Sequence, residues 1–260
     1  MISTYLKNNI LDHVLKVTNY TPPTHIYIAL STADPLADAS GLAEPSGGSY
    51  ARIICDDWVL ATLRRTRNAD ELNFVKSTGA WGLLTHYAVM DDLTDGNMLA
   101  YGALADSKSC VTGDDFSIKA GDIEEYINAG NMSNYLANAI LDHVFINAAY
   151  TPPAHIYVAG ATETIYDSST GATIVEPDDS AYAREQFDTW NTASAGASSN
   201  DGDVTFDEAT ESQGTITDVA LVDALTVGNL LIYGKLTTAQ EINAGGNLEF
   251  ADEVLDVVMN

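Results

Sequence analysis

The sequence contains itself twice. Residues Tyr5 to Ala29, YLKNNILDHVLKVTNYTPPTHIYIA, return from Tyr135 to Ala159 as YLANAILDHVFINAAYTPPAHIYVA, with most positions identical. After a loop of different length the correspondence resumes and holds. Tyr50-Ala51-Arg52 returns as Tyr182-Ala183-Arg184, Trp58 as Trp190 and Phe74 as Phe206, and DDLTDGNMLAYGAL (Asp91 to Leu104) returns as DALTVGNLLIYGKL. The alignment runs to the end of the chain, with Asn128 opposite Asn260. Each repeat has the size of an ordinary domain. Two homologous domains are therefore expected, 1–131 and 132–260, with the boundary in Ala129-Gly130-Asn131.

Each repeat opens on a helical pattern. Leu6, Ile10, Leu11, Val14 and Leu15 recur at three- and four-residue spacing, Ser3 or Thr4 is placed to cap the start, and Pro22-Pro23 forbids continuation. After the prolines the period becomes two. Short β-branched and aromatic runs occupy His25 to Leu30, Tyr50 to Cys55, Leu72 to Val75, Leu83 to Met90, Met98 to Leu104 and Asp115 to Ile118, separated by Gly, Asn, Asp and Ser clusters. Asp95-Gly96-Asn97 reads as a tight hairpin turn. The expected fold class is mainly β, with two tandem antiparallel β-sandwich or jelly-roll-like domains, each with one N-terminal helix.

Chemistry-bearing patterns are sparse. His13 and His143 lie on the helices and His25 and His155 on the first strands, with no repeated Asp, Glu or Cys at ligand spacing from both, so packing or hydrogen bonding within the fold is expected. Asp12-His13 and Asp142-His143 resemble acid-base dyads, but helix neighbours in sequence point about 100 degrees apart. No nucleophile elbow, phosphate loop or metalloprotease motif occurs. Cys55 and Cys110 align with Phe187 and Ile242, as expected of buried thiols. The repeated Tyr-Thr-Pro-Pro fixes a turn. Trp58 and Trp190 share a repeat position that suits a core anchor, with Trp81 the third candidate for a sugar-stacking platform. Acidic loops at Asp91, Asp92 and Asp95, and at Asn200, Asp201, Asp203 and Asp207, offer oxygen ligands for incidental calcium. No catalytic residue, cofactor or dedicated metal site is expected, and the chain reads as a non-enzyme.

The formal net charge is −26 over 260 residues. Such a chain repels phosphate backbones, so nucleic acid is excluded as a partner. No apolar run reaches the roughly 20 residues of a membrane span, and no secretory signal opens the sequence. The charge is uneven: residues 1–131 net −8, whereas 132–260 net −18, with Arg184 and Lys235 as their only bases. Arg64, Arg65 and Arg67 form a basic cluster where the second repeat carries the polar run Ser194 to Ala197. These three arginines are the candidate partner contact.

The repeated words carry a resemblance. ILDHVL, YTPPTHIYIALSTADP, GLAEPSGGSYAR and WGLLTHYAVMDDLTDGNMLAYGAL are similar to a tailed-bacteriophage virion protein family of roughly 130-residue domains, of the tail-fibre or minor-tail kind. The second repeat diverges most where Ala161-Thr162-Glu163 and Val175-Glu176-Pro177 replace parts of the STADP and GLAEP words. The resemblance implies a structural protein of the virion, assembled in the host cytoplasm and tail- or fibre-associated. Its implied partners are other virion proteins, further copies of itself as a homo-oligomer, or a host surface glycan. Capsid decoration is the alternative placement, and a carbohydrate-binding module the alternative class.

Overall fold

Ser3 starts the first helix. In the computed structural model, which describes residues 1–128 and 131–259, the Ser3 hydroxyl accepts a hydrogen bond from the Leu6 amide at 3.1 Å and donates to the Met98 carbonyl. It thereby satisfies an orphan helix donor and ties the helix start to a strand. Helix α1 (Thr4–Val14) follows, and Ser133 caps α2 (Asn134–Phe145) in the same way, through Leu136. The prolines do not end α1. The chain turns earlier, at Lys16 (φ 67), where the Val17 amide donates back to the Asp12 carbonyl, and Asn147 (φ 56) has the same conformation after α2.

The first repeat contributes β1 (Tyr27–Ser31), β2 (Ile53–Ile54), β3 (Arg65–Arg67), β4 (Leu72–Asn73), β5 (Gly82–Met90), β6 (Met98–Cys110), β7 (Ser117–Ile118) and β8 (Glu124–Tyr126). The second contributes β9 (Tyr157–Ala161), β10 (Glu185–Gln186), β11 (Ala197–Ser199), β12 (Val204–Thr205), β13 (Gly214–Val222), β14 (Leu230–Ile242), β15 (Glu249–Phe250) and β16 (Asp256–Val258) in the same order. Each repeat builds a four-stranded antiparallel sheet, β2-β1-β5-β6 or β10-β9-β13-β14, and two small antiparallel pairs, β3-β8 with β4-β7 and β11-β16 with β12-β15. The fold is mainly β in two similar halves, and no sheet among the described residues closes into a barrel. The expected strands at β1, β5 and β6 are present. The run Tyr50 to Cys55 yields only Ile53–Ile54, and β3 and β8 were not foreseen. The expected domain boundary in Ala129-Gly130 lies outside the described residues.

Central strand β1 is buried on both faces, because Ile28 and Leu30 point one way while Ala29 points the other, opposite Ala88 of β5. Ala29, Ala88, Met90, Met98 and Tyr101 form one core cluster, with Tyr27 and Leu42 against it. Ala159, Ala161, Ile165, Ala220, Val222 and Leu230 form its counterpart in the second repeat.

Compactness divides the chain differently from repetition. Unit 1 comprises Met1–Lys7, Thr21–Ile127 and Asn138–Tyr150, and unit 2 comprises Asn8–Tyr20, Asn128–Ala137 and Thr151–Asn260. Each unit is thus completed by the end of the other repeat's helix. Within unit 1, the Asp142 carboxylate of α2 accepts from the Ala61 amide at 2.7 Å, the Asn138 side-chain oxygen accepts from the Arg64 amide at 2.8 Å, and Phe145 packs on Trp58 with ring centres 4.6 Å apart. Within unit 2, Asp12 accepts from the Ala193 amide and Asn8 from the Gly196 amide, both at 2.7 Å. The two sets of contacts occupy equivalent positions.

Candidate partner-binding surface

Most of the repeated chemistry is consumed inside the fold. The largest repeated constellation is a buried clamp of Tyr182, Arg184 and Glu176, matched by Tyr50, Arg52 and Glu44. The Arg184 guanidinium donates twice toward Glu176 through Nε and Nη2, and its Nη1 reaches the Ala224 and Val227 carbonyls at 2.8 Å each. Arg52 reproduces this with Glu44 and the Asp92 and Asp95 carbonyls. Burial first, then the neighbouring Glu44 or Glu176 carboxylate, pushes the Tyr50 and Tyr182 hydroxyls far above their usual range, so both stay protonated at neutral pH and donate to that carboxylate. The clamp fixes the hairpin turns after β5 and β13. Gly171 lies against it so closely that a Cβ there would stand 1.9 Å from the Val227 carbonyl oxygen.

The histidines are occupied as the sequence suggested. His13 Nδ1 faces the Tyr20 amide and His143 Nδ1 the Tyr150 amide, while the Asp12 and Asp142 carboxylates go to other partners, so no dyad forms. His25 meets Asp56, and His155 meets Asp188, each at 2.7 Å on the surface. Lys16 also donates to Asp188 at 2.9 Å. Burial raises the Asp188 carboxyl, but hydrogen bonds from His155, the Ile156 amide, Lys16 and Gln186 outweigh it and hold the pKa at about 2. Asp179 is held at about 2 by the Thr210 hydroxyl first, with the Ala181 amide, Gln213 and the Thr210 amide adding to it. Both carboxyls bind protons more weakly folded than unfolded, where the reference is 3.8. The stability they confer is therefore complete above about pH 4 and is lost as pH falls through about 2. The thermal midpoint should drop over that window, and the double variant Asp179→Asn, Asp188→Asn should show a shallower drop. An unchanged slope in that variant would show that these carboxyls are not held low.

The remaining candidates fall into place simply. Cys55 and Cys110 are buried free thiols, and burial together with Asp56, Asp57 and Asp70 pushes the Cys55 thiol up to about 12, far from reactivity. Trp58, Trp81 and Trp190 are all buried and form no exposed stacking platform. In the acidic loops, Asp91 accepts from the Asn97 amide and side chain, and Asn200 bridges Gly202, Ala251 and Leu255. Among the described residues no group of three or more His, Cys, Asp or Glu is placed to hold a metal ion, and no helix is long and apolar enough to cross a membrane. Among the buried carboxyls that sequence reasoning missed, Glu125 of β8 is fully enclosed and accepts from the Met1 ammonium at 2.8 Å and from the Tyr87 hydroxyl at 3.0 Å. Burial pushes its carboxyl above the usual range, and those two donors draw it back.

The basic cluster separates into two kinds of residue. Arg64 is buried, left-handed (φ 67), and its Nε donates to the Ile127 carbonyl at 3.0 Å. Arg65 and Arg67 alternate with inward Thr66 on β3 and stand in solvent. Arg65 pairs with Glu124 at 2.8 Å and lies over the Tyr126 ring. Beside them, the loop before β3 exposes Val59, Leu60 and Leu63, and together these residues line a shallow groove. The surface part of the candidate contact is thus Arg65 and Arg67 with three aliphatic neighbours.

The chain is a member of the podophage GP4 fiber I protein gp80 family, whose model matches residues 1–125 and again 131–258. The double match follows the internal repeat, so the chain is a tandem duplication of a phage fibre domain. A search of curated proteins found no match.

Proposed function

We propose that the protein is a non-enzymatic structural component of a podophage virion, tail- or fibre-associated, that works by protein–protein assembly. The observation that carries this reading is the fibre-family match through both repeats. It is supported by the use of the repeated Tyr-Arg-Glu and His-Asp groups in bonds within the fold. The homologous domains 1–131 and 132–260 are the evolutionary modules of this reading, and no cofactor enters it. Antibody labelling of purified particles should mark the tail or its fibres. Label confined to capsid faces would replace this placement with decoration of the head.

Arg65 and Arg67 are the basic part of the contact surface, with Arg64 supporting the turn beneath them. Exposed ion pairs contribute about 0–1 kcal/mol each, so these bases orient docking more than they hold it. The variant Arg65→Ser, Arg67→Ser should reduce the amount of protein per purified particle by up to about 30-fold, the factor for a loss of at most about two kcal/mol. Lys235→Ser, in the second repeat, should leave it unchanged. Equal amounts in all three particles would remove Arg65 and Arg67 from the contact.

A further inference from the structure

The duplication supplies an internal control for surface residues. Around β3 and β11 three buried positions are kept between repeats, Trp58 and Trp190, Ala61 and Ala193, Asn68 and Asn200, while buried Arg64 and Thr66 become Gly196 and Ser198. The exposed positions are not kept. Val59, Leu60 and Leu63, exposed at 42%, 65% and 80%, correspond to Asn191, Thr192 and Ala195, and Arg65 and Arg67 to Ala197 and Ser199. Unit 2 forms the same strand pair without the apolar and basic side chains, so the fold does not require them. Single exposed aliphatics are ordinary, but three beside two bases form a patch that calls for a partner.

The same region of unit 2 carries the opposite character. Asp201 and Asp203 on the β11–β12 turn, Asp252 and Glu253 between β15 and β16, and Asp256 at the start of β16 are exposed, as is Val254 at 58%. They are one patch: the Gly202 amide donates to Asp252, and the Asp252 amide to Asp203, each at 2.8 Å. The first repeat has Ala69, Glu71, Ala120, Gly121 and Glu124 at those five positions, and Asp122 in place of Val254.

We propose that the unit 1 ledge of one chain docks on the acidic unit 2 patch of a second copy of the chain, with Arg65 and Arg67 set against the acids and Leu60 and Leu63 against Val254. The proposal rests on the assembly reading above and names its partner. Charge complementarity identifies the occupant: five exposed acids, Asp201, Asp203, Asp252, Glu253 and Asp256, with the exposed Val254 among them, match a basic, apolar ledge. The exposed Arg65–Glu124 pair is weak enough to exchange partners. The two surfaces are unlike, so the contact is heterologous: every docked chain still offers one ledge and one patch, and the assembly continues head to tail until it closes as a ring or stops on another component.

The test uses full-length chains in light-scattering chromatography, from micromolar to millimolar concentration at low salt. Wild type should gain mass with concentration and lose the gain in about 1 M salt, where screening reaches within about 3 Å. The variant Arg65→Glu, Arg67→Glu has two acidic surfaces, and Asp201→Lys, Asp252→Lys, Glu253→Lys, Asp256→Lys has two basic ones, with Asp203 the one acid left in the patch. Each alone should associate at least about tenfold more weakly than wild type. Mixed in equal amounts they should associate again, because every contact then joins opposite charges. Circular dichroism confirms that both variants are folded. A wild type that stays monomeric throughout, variants that associate like wild type, or a mixture that stays monomeric would each overturn the proposal. If wild type stays monomeric while Arg65→Glu, Arg67→Glu loses incorporation into particles, the ledge serves a different virion protein, and the assembly reading survives without self-docking.

Discussion

Replacing Arg184 by Ala is expected to cost about 3 kcal/mol of stability, the low end for breaking a buried pair by removing one partner. Arg184 has a side chain only 3% exposed and spans three segments: Glu176 on the incoming loop, the Gly171 carbonyl, and the Ala224 and Val227 carbonyls of the hairpin turn. Its removal orphans those carbonyls and leaves Glu176 with the Tyr182 hydroxyl alone. It also frees Val227, a β-branched residue held at φ 58, a conformation that disfavours such side chains. Lys at 184 should recover little, because one ammonium cannot reproduce the planar fork that reaches a carboxylate and three carbonyls at once. Chemical denaturation measures the loss, and hydrogen exchange at Asp223 to Asn229 should accelerate with it. An Arg184→Ala protein that unfolds at the wild-type midpoint would mean that the turn is held by its own hydrogen bonds, Asp223 to Asn229 among them.

How much of this was readable in the sequence depended on the range of the forces involved. The helix starts, β1, β5, β6 and the hairpin turn are encoded locally, by a capping serine, alternating apolar residues and a Gly that takes φ 72. The strand pair β3-β8 escaped notice because Arg-Thr-Arg and Glu-Glu-Tyr carry no apolar alternation. Thr66 is the inward residue of one, and the inward residue of the other is Glu125, buried only because an ammonium and a tyrosine meet it from distant positions. Tyr50-Ala51-Arg52 stood out as a repeated word but read as strand, since nothing local indicates that the guanidinium reaches two carbonyls some forty residues away. Arg64 looked equivalent to Arg65 and Arg67. Its left-handed turn aims it inward, and one residue of phase decides between core and solvent. For the site as a whole, the charge asymmetry between repeats pointed to β3, whereas the exposed aliphatics emerged only once burial could be compared position by position.

The exchange of helix ends was the least readable feature, and it yields the most specific expectation. The Asp12 carboxylate serves an amide 181 residues away, in the other repeat. Asp12→Ala should therefore loosen repeat 2 and spare repeat 1, and Asp142→Ala should do the reverse. Each change removes a charged acceptor from a backbone donor beside a buried residue, Ala193 or Ala61, at a cost of about 1–3 kcal/mol. In hydrogen exchange on the full chain, Asp12→Ala should speed the Ala193 and Gly196 amides by roughly 5- to 30-fold for one or two kcal/mol, with Ala61 and Arg64 unchanged. Asp142→Ala should speed Ala61 and Arg64 and leave Ala193 and Gly196 alone. The double variant should show both effects with little coupling, since the two contacts share no residue. Faster exchange in the mutated repeat itself would mean that each helix closes on its own sheet, and the assignment of Asn8–Tyr20 to unit 2 and Asn138–Tyr150 to unit 1 would not describe the protein in solution.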